Sequence, residues 1–500
     1  MAPASAPARR RRRILSALAA TAIVTLVGLG AAPAIAASAT WSTPVAITAD
    51  QGDTVGTVTA PDGTITTVVE SYTVGITAVS STDGGATWQT PVALGSGGDA
   101  AFRATIGITS SGLLAVAWVE ETAGVRAIQV VISADGGSTW SAPFALPTVE
   151  NYVDDPAIGS SSALGFTVVW SEDSFDKRAS STTDGGTTWS AGEYITQDRN
   201  SYGTASLASV GEDDIVVVFQ EFYFDVGHTI HSRRSTDGGV TWAAVVTVAP
   251  DYVGSNFANS RYTTVVSPSP GKLVVFWDDP VLFAATSTDN GDTWGPVIEV
   301  SVGPDDARDF APAAVDASTV AVVWHQSSGS GSDAYYAEVE LDATSASTPV
   351  PIDPASTLFY DRQPTLTAFG TSRVASWFAE DESASDGTYG SAVSCDGGAT
   401  WRASTTIASG DDVSSNNAVV ARSGTVVAAF WSEYDALIDE SVPLASVIDD
   451  PCSAPVAIVD DPELAATGPS ELAIAVLVAA LGMLAAGLAA LGVRRAAVRG

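Results

Sequence analysis

The sequence predicts an all-β protein, a β-propeller of four-stranded blades, with eight blades expected and seven as the alternative. Three observations predict it: a repeat of about 50 residues, a short motif that punctuates the repeat, and strand-like apolar runs before each motif.

The motif is S/T-x-D-x-G-x-x-W. It occurs at Ser81–Trp88, Ser133–Trp140, Thr182–Trp189, Ser235–Trp242, Ser287–Trp294 and Ser394–Trp401. Successive tryptophans lie 52, 49, 53 and 52 residues apart, and the last interval is 107, or two periods. Leu341 to Ile352 fills that interval with a unit that has lost its motif. A worn copy at Cys452–Val456 ends the series, and a half copy at Trp41–Val45 begins it, which gives eight units. Both end copies head an outer strand, so the sequence leaves open how the ring closes.

Each unit reads as four short strands. Runs such as Leu113–Val119, Phe166–Trp170, Ile215–Phe219 and Leu273–Trp277 are apolar, rich in β-branched residues and bounded by Gly, Ser, Asp or Pro. Such runs read as strands buried on both faces, and no unit carries a helical stripe. Within the motif, the Gly-Gly or Asn-Gly pair supplies the positive φ of a tight turn. The aspartate can cap backbone N–H groups there, and the tryptophan can cover the turn. Asp83, Asp135, Asp184, Asp237, Asp289 and Asp396 therefore read as structural. Each stands alone without clustered oxygen ligands, so no metal is expected, and no nucleophile elbow, phosphate loop or other cofactor motif occurs.

The ends read separately. Arg9 to Arg13 precede an apolar run from Ile14 to Leu29, and small residues follow, so residues 1–36 read as a secretory signal peptide. Residues 40–460 form the propeller and 461–471 a linker. Residues 472–493 are 22 uncharged apolar or small residues, long enough for a transmembrane helix, and 494–500 are a basic cytoplasmic tail. Leu464-Ala465-Ala466-Thr467-Gly468 precedes the span and resembles the LAxTG variant of the LPxTG sorting signal. Leu464, Thr467 and Gly468 carry that resemblance. It implies cleavage by a sortase between Thr467 and Gly468 and attachment to the cell wall of a Gram-positive, actinobacterial-type cell. Before sorting, the helix would hold the chain in the cell membrane.

Between Ala37 and Thr467 lie 14 of the 22 Lys and Arg but 56 of the 57 Asp and Glu, so this part carries a charge near −42. Such a field repels phosphate backbones, which excludes nucleic acid as the expected partner. Cys395 and Cys452 are the two cysteines, and an exported chain permits but does not require their disulfide.

The repeated motif is similar to the Asp box, or bacterial neuraminidase repeat, of the sialidase-like superfamily. The resemblance spans nearly all of residues 41–458. Sialidases hold the substrate carboxylate with three arginines and use a Tyr–Glu nucleophile pair and an Asp acid/base. Their first arginine lies in an F/Y-R-I-P string ahead of the first box. Here no arginine stands between the signal peptide and Ser81, and Phe102-Arg103-Ala104-Thr105 follows the first box and lacks the proline.

One further pattern could carry function. If the boxes mark one face, inner-strand starts meet second-strand ends on the other. The starts hold Arg103, Asp155, Arg199, Arg261, Arg308 and Arg362. The ends hold Glu70, Glu120, Glu172, Glu221, Asp278, Gln326, Glu380 and Glu433. These groups would ring one mouth of the central channel, either pairing blade to blade or forming a ligand-binding or hydrolytic site, since paired carboxylates can flank a glycosidic bond. Tyr202, Tyr262 and Tyr360 are the candidate phenols. Trp118, Trp170, Trp277, Trp324, Trp377 and Trp431 read as core that could also stack on sugars, and His325 reads as a packed or rim histidine. The sequence thus favours a surface-anchored propeller that binds a surface glycan or protein without catalysis. The alternative is an exo-acting glycoside hydrolase of sialidase type.

Overall fold

The computed structural model describes residues 40–452, apart from 50, 72, 96–99, 174–175, 197–200, 202–203, 224–226, 253–261, 279–280, 302, 304–306, 328–331, 353–359, 381–386, 411–412, 414–418 and 436–439. The expected signal peptide, Leu464, Thr467, Gly468 and the apolar stretch 472–493 lie outside the described residues. Among the described residues no helix is long and apolar enough to cross a membrane.

Eight antiparallel blades follow one another along the chain. Blade 1 comprises Asp53–Thr59, Ile65–Ser71, Gly75–Ser81 and Val92–Ala93; blade 2 comprises Ala101–Ile108, Leu114–Thr122, Val125–Ser133 and Phe144–Ala145. Blade 3 is Val153–Ser160, Phe166–Glu172, Asp176–Thr182 and Glu193–Tyr194; blade 4 is Ser206–Gly211, Asp214–Tyr223, Gly227–Ser235 and Val246–Tyr252. Blade 5 is Thr263–Ser269, Lys272–Asp278, Leu282–Ser287 and Ile298–Glu299. Blade 6, the unit without a motif, is Ala307–Ala314, Thr319–Ser327, Ser332–Glu340 and Val350–Pro351. Blade 7 is Tyr360–Phe369, Ser372–Glu380, Gly387–Ser394 and Thr405–Gly410, joined to blade 6 by one parallel bridge, Ser332 to Tyr360.

Blade 8 settles the closure that the sequence left open. Its first three strands are Val419–Ser423, Val426–Asp435 and Glu440–Asp449, and its outermost strand is Val45–Ala46 from the N-terminal end. Val45 pairs with Ala445 and Ala46 with Leu444. The Ser42 N–H donates to the Val447 carbonyl at 2.8 Å, and the Trp41 indole donates to Ser391 Oγ in blade 7 at 2.7 Å. Cys395, inside the last motif, forms a disulfide with Cys452, which follows the third strand of blade 8. Their Cα atoms are 5.5 Å apart.

The core lies between blades. Along each second strand, alternate residues face opposite neighbours. Val116 and Trp118 of blade 2 pack with Val68, Ile76 and Ala78 of blade 1, whereas Ala117 and Val119 pack with Val168 and Trp170 of blade 3. Both faces are therefore dry, which is why these strands read as continuous apolar runs. Trp118, Trp170, Trp277, Trp324 and Trp431 are fully buried and Trp377 nearly so; all six are core residues.

Candidate functional site at the mouth opposite the boxes

The six motifs form one hydrogen-bonded turn, repeated. In the first, Ser81 Oγ donates to Asp83 Oδ1 at 2.8 Å and accepts from the Gly85 N–H at 2.8 Å. Asp83 also accepts from the Thr87 N–H at 2.9 Å and the Thr87 hydroxyl at 2.6 Å. The same set recurs around Asp135, Asp184, Asp237, Asp289 and Asp396. The threonine before each tryptophan is thus a working member of the box. The motif as first read left that position open, although all six copies carry Thr there. Hydrogen bonds from Thr400 hold the Asp396 carboxyl down at about 2. In Asp83 the partial burial raises the pKa, and bonds from Thr87 and Ser81 more than reverse it. Each box aspartate is a full acceptor, as a turn cap requires.

The opposite end is arranged differently. Strand pairing sets Glu70 across from Asp53, Glu120 from Ala101, Glu172 from Val153, Gln326 from Ala307 and Glu380 from Tyr360. Second-strand ends and inner-strand starts therefore meet at this mouth. Glu433 is bridged to Val413, Glu221 pairs with Thr229, and Asp278 ends its strand across from Leu282. The indoles of Trp118, Trp324 and Trp431 donate to Glu120, Gln326 and Glu433 at 3.1, 3.1 and 3.0 Å. Glu70 Oε2 accepts the Ala104 N–H of the next blade at 3.3 Å, and burial raises its pKa. Buried Glu221 lies 3.4 Å from His231.

The arginines divide. Arg199, Arg261 and Tyr202 lie outside the described residues. Tyr360 and Arg362 lie in the inner strand of blade 7, where the register shifts between Arg362 and Thr365. Arg308 pairs with His325, whose Nδ1 is 3.4 Å from Asp309. Inner-strand bulges recur at this level, and four put a non-glycine residue in the left-handed region: Arg103 (φ 55°), Asp155 (φ 48°), Asp309 (φ 46°) and Gln363 (φ 49°). Each such residue costs of the order of 1 kcal/mol, and such strain gathers at functional sites.

Charge concentrates between blades 2 and 3. Arg103 is 55% exposed; its Nε lies 2.7 Å from Asp154 and its Nη1 2.6 Å from Asp155. Arg126 reaches Glu121 at 2.9 Å and Asp154 at 3.3 Å, with its guanidinium 5.0 Å from the Phe102 ring centre and 4.5 Å from that of Tyr152. Beneath them Lys177 is buried, with Nζ 2.6 Å from Ser171 Oγ. Burial pulls its pKa down to about 8 against the attraction of Asp155 and Asp154. Arg178 Nη1 lies 3.4 Å from the fully buried Glu172, which also accepts the Val149 N–H at 2.7 Å. Arg126, Asp154, Lys177 and Arg178 escaped the sequence reading. The signal was present in Asp176-Lys177-Arg178, three charges opening a third strand; no other blade has more than one charged residue among the first three of that strand. Among the described residues, no group of three or more His, Cys, Asp and Glu is placed to hold a metal ion.

Large aromatic surface is exposed at the same mouth. Tyr152 and Tyr262 precede the inner strands of blades 3 and 5, and Tyr434 lies near the end of the second strand of blade 8; they are 43%, 47% and 39% exposed.

Residues 108–338, from the inner strand of blade 2 into the third strand of blade 6, match a family model described as a BNR repeat-like domain. The chain carries BNR repeats on a β-propeller. Among solved structures it is similar to an ulvan lyase from a new family of polysaccharide lyases, at 9% identity and TM-score 0.48 over 81% of this chain and 96% of that one. It is also similar to an α-L-arabinanase of Penicillium chrysogenum (12% identity, TM-score 0.39, 71% and 95% covered). A third similar structure is the Aleuria aurantia lectin (15% identity, TM-score 0.33, 61% and 95% covered). No curated protein matches the sequence.

Proposed function

We propose that the protein is an exported, wall-anchored surface protein whose propeller binds glycans at the mouth opposite the boxes, without hydrolysing them. The observation that carries this reading is half-exposed Tyr152, whose hydroxyl lies 3.4 Å from Asp154, a carboxylate that Arg103 also reaches. A half-exposed ring offers the C–H face of a sugar a stacking surface, and a guanidinium edge next to a carboxylate offers its hydroxyls donors and acceptors. Asp155 and Arg103 are held by each other on strained backbone, so the groups are oriented before a ligand arrives.

The charge pairing supports binding over catalysis. Glu120 and Glu433 accept from neighbouring indoles, Glu172 is fully buried against Arg178, and Asp154 lies against Arg103 and Arg126. These carboxylates therefore already serve as acceptors within the frame. The anchoring part of the reading rests on the signal-like N-terminus and on the order LAATG, apolar span, basic tail.

The test is a glycan array probed with the full chain, beside a panel of fluorogenic glycosides that includes a sialoside. We expect selective glycan binding, weakened at least tenfold by Tyr152→Ala, and no turnover. Turnover that disappears in Arg103→Ala would contradict the reading. For anchoring, Thr467→Ala should shift the chain from the wall to the membrane fraction, and an unchanged wall fraction would refute sorting.

A further inference from the structure

The opposite end of the channel carries a second feature that the motifs do not explain. There the turns joining first and second strands in blades 2 to 5 rim a cavity of about 420 Å³. Ser160, Ser162, Ser209 and Ser267 line it, Pro268 adds an apolar edge, and Glu212 is the one ionisable residue in its lining. Inner strands of six to eight residues separate this end from the Arg103 mouth, a distance of roughly 20 Å.

The rim is rigid for a reason visible in the backbone. The Asp213 N–H donates to the Ser161 carbonyl at 2.9 Å and the Gly271 N–H to the Val210 carbonyl at 2.8 Å, so the turns of blades 4 and 5 are each bonded to the one before. Box turns lock them from outside: the Gly238 N–H donates to the Asp213 carbonyl and the Asn290 N–H to the Gly271 carbonyl, at 2.8 and 2.9 Å. Pro268 and Pro270 fix φ in the blade 5 turn. A hydroxyl cluster held in place loses little entropy on binding.

The lining selects by chemistry. The Ser209 and Ser267 hydroxyls donate to the Gly211 and Ser269 carbonyls at 3.1 Å and present their oxygens as acceptors, which suits the O–H donors of a saccharide. No Lys or Arg lines the cavity, so an anionic ligand has no partner in a chain that is strongly acidic overall. One carboxylate is too few for a bound metal ion. The volume falls in the range of small-molecule sites, roughly 300–1,000 Å³. We infer that this cavity is a second carbohydrate site, specific for neutral saccharides and independent of the Arg103 mouth.

The experiment titrates the full chain with maltotriose and cellotriose, and with glucuronic acid as the anionic control, by calorimetry and saturation-transfer NMR. Ser209 is exposed on the rim, so Ser209→Trp fills the cavity without entering the core. A neutral trisaccharide should bind, glucuronic acid should not, and Ser209→Trp should weaken the trisaccharide at least tenfold. As a second measurement, Ser209→Cys should react with a thiol reagent and be protected by the bound trisaccharide. Three results overturn the inference: no neutral trisaccharide binds, glucuronic acid binds equally well, or binding survives Ser209→Trp and is lost in Tyr152→Ala. The last outcome would assign the saccharide to the opposite mouth and leave the glycan-binding reading of that mouth intact.

Discussion

Two arginines, one at each end of the propeller, bridge adjacent blades in opposite styles. Arg234 at the box end lies 2.6 Å from Asp214 of its own blade and 2.9 Å from Asp292 of the next; it is largely shielded and sits on ordinary strand backbone. Arg103 at the other mouth likewise reaches two carboxylates, Asp154 and Asp155, but it is more than half exposed and sits on left-handed backbone. A clamp needs neither exposure nor strain. The difference teaches that ion pairs at the box end are shielded parts of the frame, whereas those at the blade 2–3 mouth leave charged groups facing solvent, where the proposed ligand would meet them.

The comparison is sharpest where charge is buried. Arg178→Leu would leave Glu172 charged, fully buried and short of its cation. Loss of one partner from such a pair costs about 3–5 kcal/mol, so chemical denaturation should register a loss of that size. A change below about 1 kcal/mol would mean that the Val149 N–H alone satisfies Glu172.

Lys177 gives the next effect, and its sign is fixed by its pKa. Between about pH 8, where the folded side chain releases its proton, and the ordinary lysine range, the unfolded chain binds the proton that the folded chain has lost. The folded state therefore gains stability as pH rises through that window. Denaturation midpoints at pH 8 and pH 10 should show this gain relative to Lys177→Met, which removes the titrating group. Parallel behaviour of the two proteins would place the titration elsewhere.

At the box end the effects are smaller. Asp237→Ala removes the acceptor for Thr241 and Ser235 in an exposed turn and should cost about 1 kcal/mol at neutral pH. The Asp237 pKa is lowered in the fold, so this contribution is present above the ordinary aspartate range and fades as the pH falls below about 4. Glycan binding at the Arg103 mouth should be untouched. A binding defect in this variant would break the division between frame and mouth.

How far the sequence foretells each end follows from the same contrast. The boxes are local: Ser81, Asp83, Gly85 and Thr87 satisfy one another within seven residues, so spacing alone reveals them. The buried second strands are legible because both faces are dry. Ring closure is not, because Val45 meets Ala445 across 400 residues and two end copies compete for one edge. The Lys177 cluster is hidden for a related reason. Lys177 reads as a surface residue until Asp154 and Asp155, more than 20 positions upstream, are folded beside it.

Arg103→Gly tests the central claim, that strain at the mouth is kept for binding. Glycine relieves the φ of 55° at little backbone cost, while the lost pairs are half-exposed and worth about 0–1 kcal/mol each. The melting temperature should therefore stay level or rise, while affinity for the glycan selected on the array falls at least tenfold. A variant that binds as well as the parent, or one that melts several degrees lower, would make Arg103 a blade clamp like Arg234 and contradict the account.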